Sequence, residues 1–304
     1  MPSAQAVRSD VAFDDGEIPA VDGRPLAATI FRPPRAVDRD AIVTIHPATA
    51  VHRRLYAAFA AFLAAHGFLV VTFDWRGTGD SRLGPLVDDP ATMRDWGALD
   101  LEGVFRHVAE HHPNRRHLAV THSVGGQLLG LAPSCGRLEA VYALASQLGS
   151  WRLWPAPRRW LYKAAFHTLW PWATAARGYF PGRAFGMGDL PAGVGLEWAR
   201  WCRSRAYLVD EAGEPMRPHN HRLTARAHWV AFADDTALAP EAAVAALARI
   251  YPKASSTLET IDPKALRLPP IGHFGYFRRR FRDTLWPRAV AWLTADMENP
   301  QSTP

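Results

Sequence analysis

The feature that most constrains this chain is an alternation of short β-branched or apolar runs with helical segments. Residues 26–31, 41–45, 69–73, 118–121 and 140–145 read as strands, and residues 55–65, 96–110 and 126–132 read as the helices between them. Alternation of this kind predicts an α/β fold: βαβ units that build a mostly parallel central sheet with helices on both faces. The run Phe68-Leu-Val-Val-Thr-Phe73 is apolar on both sides, as a doubly covered strand must be. The pattern halts near Gly149 and resumes with a strand over 228–232, a helix over 240–250 with Pro240 in its first turn, a strand over 256–261 and a helix over 283–297. One sheet interrupted once therefore accounts for all 304 residues. Residues 1–150 form the first part of the core, 151–222 an insertion and 223–304 the second part.

The insertion differs in composition from everything around it. It holds seven of the 12 tryptophans, many prolines, and eleven basic residues (ten Arg and Lys163) against five acidic ones, an excess equal to the +6 of the whole chain. Two cysteines, Cys135 and Cys202, cannot build a disulfide framework or a Cys-rich zinc site, so a reducing, cytoplasmic setting is expected. Residues 1–24 lack the basic start and the apolar core of about 7–15 residues of a secretory signal. The longest apolar run, Tyr56 to Phe73, is divided by His66-Gly67 and reads as helix, turn and strand instead of a membrane span. There is no internal repeat.

Candidate chemistry begins at Thr121-His-Ser-Val-Gly-Gly126, between a strand and a helix-forming segment. A Ser on a sharp strand-to-helix turn is held clear of the backbone, and the helix N-terminus behind it offers N–H groups and a positive dipole to a developing oxyanion. That is the logic of Gly-x-Ser-x-Gly, with Thr121 in place of the first Gly. A Ser hydroxyl needs a His to take its proton and a carboxylate to fix the imidazole. In a doubly wound sheet both should follow later strands, in the order Ser, Asp/Glu, His. His273, in a Gly-flanked loop after the last strand, is the candidate base. Asp235, directly after strand 228–232, is the candidate acid. Asp234 is its alternative and could instead bond backbone N–H groups of a turn; Asp74 and Asp262 also follow strands. Of the two oxyanion donors, one is the N–H of Val124 and the other lies in the loop 45–50, where Pro47 has none, leaving Ala48 or next Thr49. The pairs His107/His111 and His219/His221 lack a carboxylate at ligand spacing and read as solvated surface, so no metal site is expected.

The stretches His46-Pro-Ala-Thr-Ala50 with Tyr56, Gly67 to Ser81 with its Asp74-Trp-Arg-Gly-Thr-Gly-Asp-Ser81 end, Thr121 to Gly126, Asp234-Asp235 with Pro240, and Ile271-Gly-His-Phe-Gly-Tyr-Phe277 together resemble the α/β-hydrolase superfamily. Within it the chain is similar to the serine aminopeptidase-like and monoacylglycerol-lipase-like members. The resemblance implies an α/β-hydrolase fold with a helical lid, nucleophile Ser123, acid Asp235, base His273 and donors Ala48 and Val124. It also makes Asp74, Arg76 and Ser81 scaffold. The implied activity is cofactor-free hydrolysis of an ester, a small molecule with an apolar acyl or alcohol part, through an acyl-enzyme. Acyltransfer, aminopeptidase activity and a non-catalytic binding role are the alternatives. A haloalkane dehalogenase is disfavoured because that chemistry places Asp at the elbow. The Trp of the insertion either pack it onto the body or wall a pocket, each burying about 150–250 Å². Arg beside Trp also suits weak contact with anionic lipid. Nucleic acid is not expected, since no binding motif accompanies the charge.

Overall fold

In the computed structural model, which describes residues 11–295, the sheet has eight strands. They are β1 (Phe13–Pro19), β2 (Pro25–Phe31), β3 (Ala41–His46), β4 (Phe68–Phe73), β5 (Arg116–His122), β6 (Ala140–Leu144), β9 (Arg226–Phe232) and β10 (Ser255–Ile261), with the two-stranded β7 (Tyr179–Phe180) and β8 (Leu190–Pro191) apart from them. The order is β1-β2-β4-β3-β5-β6-β9-β10. From β4 to β10 every pairing is parallel, and β1 and β2 add antiparallel pairs at one edge. Strands β3, β4 and β6 are buried throughout, which is why they read as unbroken apolar runs.

Chain order reverses between β3 and β5, because β4 lies on one side of β3 and β5 on the other. Such a switch point opens a crevice at the carboxyl ends of the strands. His46 of β3 pairs with Thr121 of β5 there, two residues before Ser123.

Three expectations need correction. Residues 13–19 carried no strand signal, yet form β1; in that edge strand only Ile18 is buried, so no alternation marks it. The helix expected over 126–132 is an α-turn, Val124–Gln127, followed by a 3-10 turn, Leu129–Leu131. Gly130 there lies so close to Asn220 that a Cβ would fall 1.9 Å from its Oδ1, and Pro133 follows. The helix expected over 96–110 opens with a π-turn, Trp96–Leu101, before Glu102–His111. The last helix runs Trp286–Thr294, and the end of the expected span 283–297 lies outside the described residues.

The loop after β4 is a buried polar scaffold. Asp74 accepts from the Arg53 N–H (2.6 Å), Arg53 Nη1 (2.8 Å) and the Asp80 N–H (3.0 Å). Arg76 donates to both oxygens of buried Asp100 and to Asp22. Ser81 Oγ donates to the Asp74 carbonyl and accepts from the Ala27 N–H, tying the loop to β2.

Three histidines are sealed in the core. Burial pushes His46 and His117 down to about 3 and His122 well below the ordinary imidazole range. In the unfolded chain all three take up a proton below about pH 6.5, while the folded chain excludes it, so stability is full above that pH and is lost as pH falls. Buried Asp100, raised to about 7 by desolvation, works the other way, because the folded chain takes up its proton as pH falls. Three histidines against one carboxyl leave a net loss, so urea titrations should find the protein less stable at about pH 5.5 than at about pH 7.5; equal or greater stability at the lower pH would mean that the native protein admits the histidine protons.

Candidate active site

Ser123 sits between β5 and the helix Val124–Gln127 at φ 52°, ψ −117°. A non-Gly residue at positive φ is strained and persists only where its surroundings over-determine it. Here the turn is pressed against β3 and the segment after β6: a Cβ on Gly125 would lie 2.4 Å from the His46 carbonyl, and one on Gly126 2.6 Å from Ser146 Oγ. Thr121 fits because its hydroxyl faces that same Ser146 Oγ at 2.9 Å.

The two aspartates after β9 do different things. Asp235 Oδ2 lies 2.5 Å from His273 Nδ1, and its Oδ1 accepts from the Leu238 N–H at 3.1 Å. Asp234 Oδ2 accepts from the N–H groups of Ile271 (2.8 Å) and Gly272 (3.0 Å), pinning the loop that carries His273. Ser123, Asp235 and His273 are all buried. The Asp235 contact leaves Nε2 as the ring nitrogen open to a hydroxyl.

A second set of bonds joins these loops from behind. The Ala48 N–H donates to Tyr56 Oη at 2.9 Å, Tyr56 Oη lies 2.9 Å from His122 Nδ1, and His122 Nε2 lies 2.9 Å from the His273 carbonyl. The directions are forced. The carbonyl can only accept, so His122 carries its proton on Nε2, and Nδ1 accepts the Tyr56 hydroxyl. A neutral imidazole fits this pattern, and burial keeps His122 neutral.

This bears on the oxyanion donors. Val124 opens its helix, so its N–H has no intrahelical acceptor. The Ala48 N–H, by contrast, is already bound to Tyr56, which corrects the expectation that it stands ready. In the same loop the Thr49 N–H has no hydrogen-bond partner among the described residues. Sequence reasoning gave Tyr56 and His122 no role. The only signal was that both fall in the stretches that carry the resemblance, Tyr56 with residues 46–50 and His122 next to Ser123.

The insertion is fastened to the acid loop. Trp154 Nε1 (2.7 Å) and Tyr162 Oη (2.8 Å) donate to the Ala237 carbonyl, and Arg158 to that of Thr236 (2.5 Å). Tyr207 Oη donates to Gln127 behind the elbow at 2.6 Å. Between insertion and body lies a cavity of about 340 Å³ walled by Trp154, Tyr162, Phe166, Trp170 and Trp198, with Gln147 at one side. Its lining reaches Ala237 and Leu238, just past Asp235, but does not include Ser123.

Other sequence candidates lie elsewhere. Asp74 is held in the scaffold, and Asp262 caps its own turn through the Lys264 N–H. His107 and His111 stack on each other, and His219 offers its carbonyl to Cys135. Among the described residues His52, Asp74 and Asp80 come close enough to hold a cation, but Arg53 already pairs with both carboxylates.

Residues 37–169, under half of the chain, match the family model described as serine aminopeptidase, S33. The chain superposes on a thermostable carboxyl esterase from Bacillus coagulans with a TM-score of 0.63, at 14% identity over 95% of this chain and 100% of that one. The chain has the α/β-hydrolase fold. Another α/β hydrolase of this fold, XC6422 from Xanthomonas campestris, superposes with a TM-score of 0.53 at 14% identity, covering 96% of this chain and 97% of that one. It is described as having no lid, so the fold alone assigns residues 151–222 no role. The quorum-quenching protein AidA of Acinetobacter baumannii is 31% identical over 134 residues, which is 43% of this chain and 41% of that protein.

Removing one hydroxyl from the posterior network should be costly. Tyr56→Phe leaves the Ala48 N–H and His122 Nδ1 buried without partners, at about 1–3 kcal/mol each. Urea denaturation should register a combined loss of about 2–6 kcal/mol, and an unchanged midpoint would show that water takes over both bonds.

Proposed function

We propose that this protein is a serine hydrolase that cleaves a small-molecule ester with an apolar acyl or alcohol part. The observation that carries the reading is the 2.5 Å contact of Asp235 with His273 Nδ1, together with a serine held at positive φ on a strand-to-helix turn whose neighbour His122 bonds the His273 carbonyl. Asp235 fixes the tautomer in which Nε2 is the basic nitrogen. Ser123 Oγ attacks the ester carbonyl while its proton passes to Nε2. The oxyanion is met by the Val124 N–H and by an N–H of the 46–50 loop, Thr49 where Tyr56 retains Ala48. Collapse breaks the C–O bond, and His273 returns the proton to the leaving alcohol. Water, deprotonated by the same nitrogen, then releases the acid. No step calls for a metal or cofactor.

The aromatic cavity beside the acid loop supports an apolar substrate group. Each methylene it buries is worth about 0.8 kcal/mol, so kcat/KM should rise about fourfold per carbon along a series of p-nitrophenyl esters until the cavity is full. A flat series would remove the cavity from the substrate's path.

Ser123→Ala should abolish both turnover and labelling by a fluorophosphonate, which would otherwise add once, at Ser123. Asp235→Asn should lower kcat by about 10³–10⁴-fold, while Asp234→Asn should keep most activity and lower stability. The reverse ranking of the two variants would exchange their roles. Adding an acceptor alcohol to the assay distinguishes hydrolysis from acyltransfer by the product formed.

A further inference from the structure

Residues 158–177 form one continuous helical segment, Arg158–Ala164 and Trp170–Arg177 joined through a π-turn, Ala165–Leu169. Its inner side buries Phe166, Trp170, Ala173 and Thr174. The outer side of a surface helix is ordinarily polar. Here it presents Trp160 at 53% exposure, Leu161 at 67%, Leu169 at 44% and Trp172 at 69%.

The sequence around these side chains carries charge of one sign. From Ala140 to Gly188 the sequence contains no Asp or Glu, while Arg152, Arg158, Arg159, Lys163, Arg177 and Arg183 all fall within it. Several lie directly on the aromatic rings: Arg152 stands 4.4 Å from the Trp151 ring centre, and Arg159 and Lys163 stand 5.2 and 5.5 Å from that of Trp160. Arg183 is paired with Asp189 just beyond this stretch, but the exposed Trp and Leu of the helical segment itself, set among cations, match an interface whose hydrocarbon accepts the apolar groups and whose headgroups are negative. A two-fold pairing of this face with a second copy would set the cations of residues 158–177 against themselves.

We propose that the outer face of residues 158–177 docks on an anionic lipid bilayer. The cavity gives the docking a consequence. Leu161, Leu169 and Phe185 are exposed and also line the cavity, so its mouth opens on this face. A docked molecule receives an apolar chain from the bilayer without passing it through water. This consequence rests on the hydrolase reading above; the docking does not.

Co-sedimentation of the full chain with vesicles tests the proposal. Phosphatidylcholine vesicles containing phosphatidylglycerol should carry the protein down, pure phosphatidylcholine vesicles much less, and high salt should release it. Trp172→Ser should weaken binding about tenfold, and Arg177→Glu, which reverses a charge, should weaken it by at least about fivefold. Both variants should hydrolyse a soluble short-chain ester as the parent does, and Ser123→Ala should bind vesicles unchanged. Vesicle binding without ester hydrolysis by the parent would remove the hydrolase reading and leave the docking intact. The docking is overturned if the folded protein ignores phosphatidylglycerol, if neither variant alters its binding, or if Trp172→Ser instead abolishes a concentration-dependent dimer.

Discussion

One imidazole that cannot be charged holds the rear of the site together. His122 has a hydrogen-bond acceptor on one nitrogen and a donor on the other, and Tyr56 and the His273 carbonyl use one each. Protonation would turn the acceptor into a second donor facing the Tyr56 hydroxyl, so the network stands only while burial keeps His122 neutral. Tyr56 passes the connection on to the Ala48 N–H. Loops from three strand ends thereby share one set of bonds. Rings fill the space around it: Tyr56 meets Phe277 edge-on at 4.7 Å, and His122 lies 5.0 Å from His273.

In front of that network, two adjacent carboxylates divide the labour of placing one histidine. Asp235 holds the ring and Asp234 holds the backbone of the loop beneath it, so the imidazole is constrained both in orientation and in position. Both residues lie in the turn that follows β9, closed by the Asp235 N–H on the Phe232 carbonyl at 2.9 Å. The loop after β4 is a comparable device. It keeps Asp74 and Arg76 buried by pairing each with partners from distant segments, which is what makes buried charge tolerable.

Much of this was legible in the residues. The parallel strands announce themselves because burial on both faces makes them uniformly apolar, and the elbow because two glycines must yield to His46 and Ser146. Strand β1 was silent: an edge strand with six exposed positions and one buried side chain carries no periodic signal. The engagement of the Ala48 N–H was equally hidden. It depends on where the Tyr56 hydroxyl points, a tertiary fact that no local spacing encodes. His122 looked like part of a motif, and its bonds became visible only once residues 56 and 273 were brought beside it.

The anchoring of the insertion carries an evolutionary consequence. Its bonds to the carbonyls of Thr236 and Ala237 span 75 to 83 residues of sequence, and they land on the same short turn whose Leu238 N–H steadies Asp235. The insertion is therefore no interchangeable cassette. A segment transplanted from a relative would arrive without the indole, phenol and guanidinium that this turn expects, and the turn would have to travel with it. Selection for a new pocket above the sheet must then also pass through the geometry of the acid below it, which restrains how quickly the one can diversify without the other.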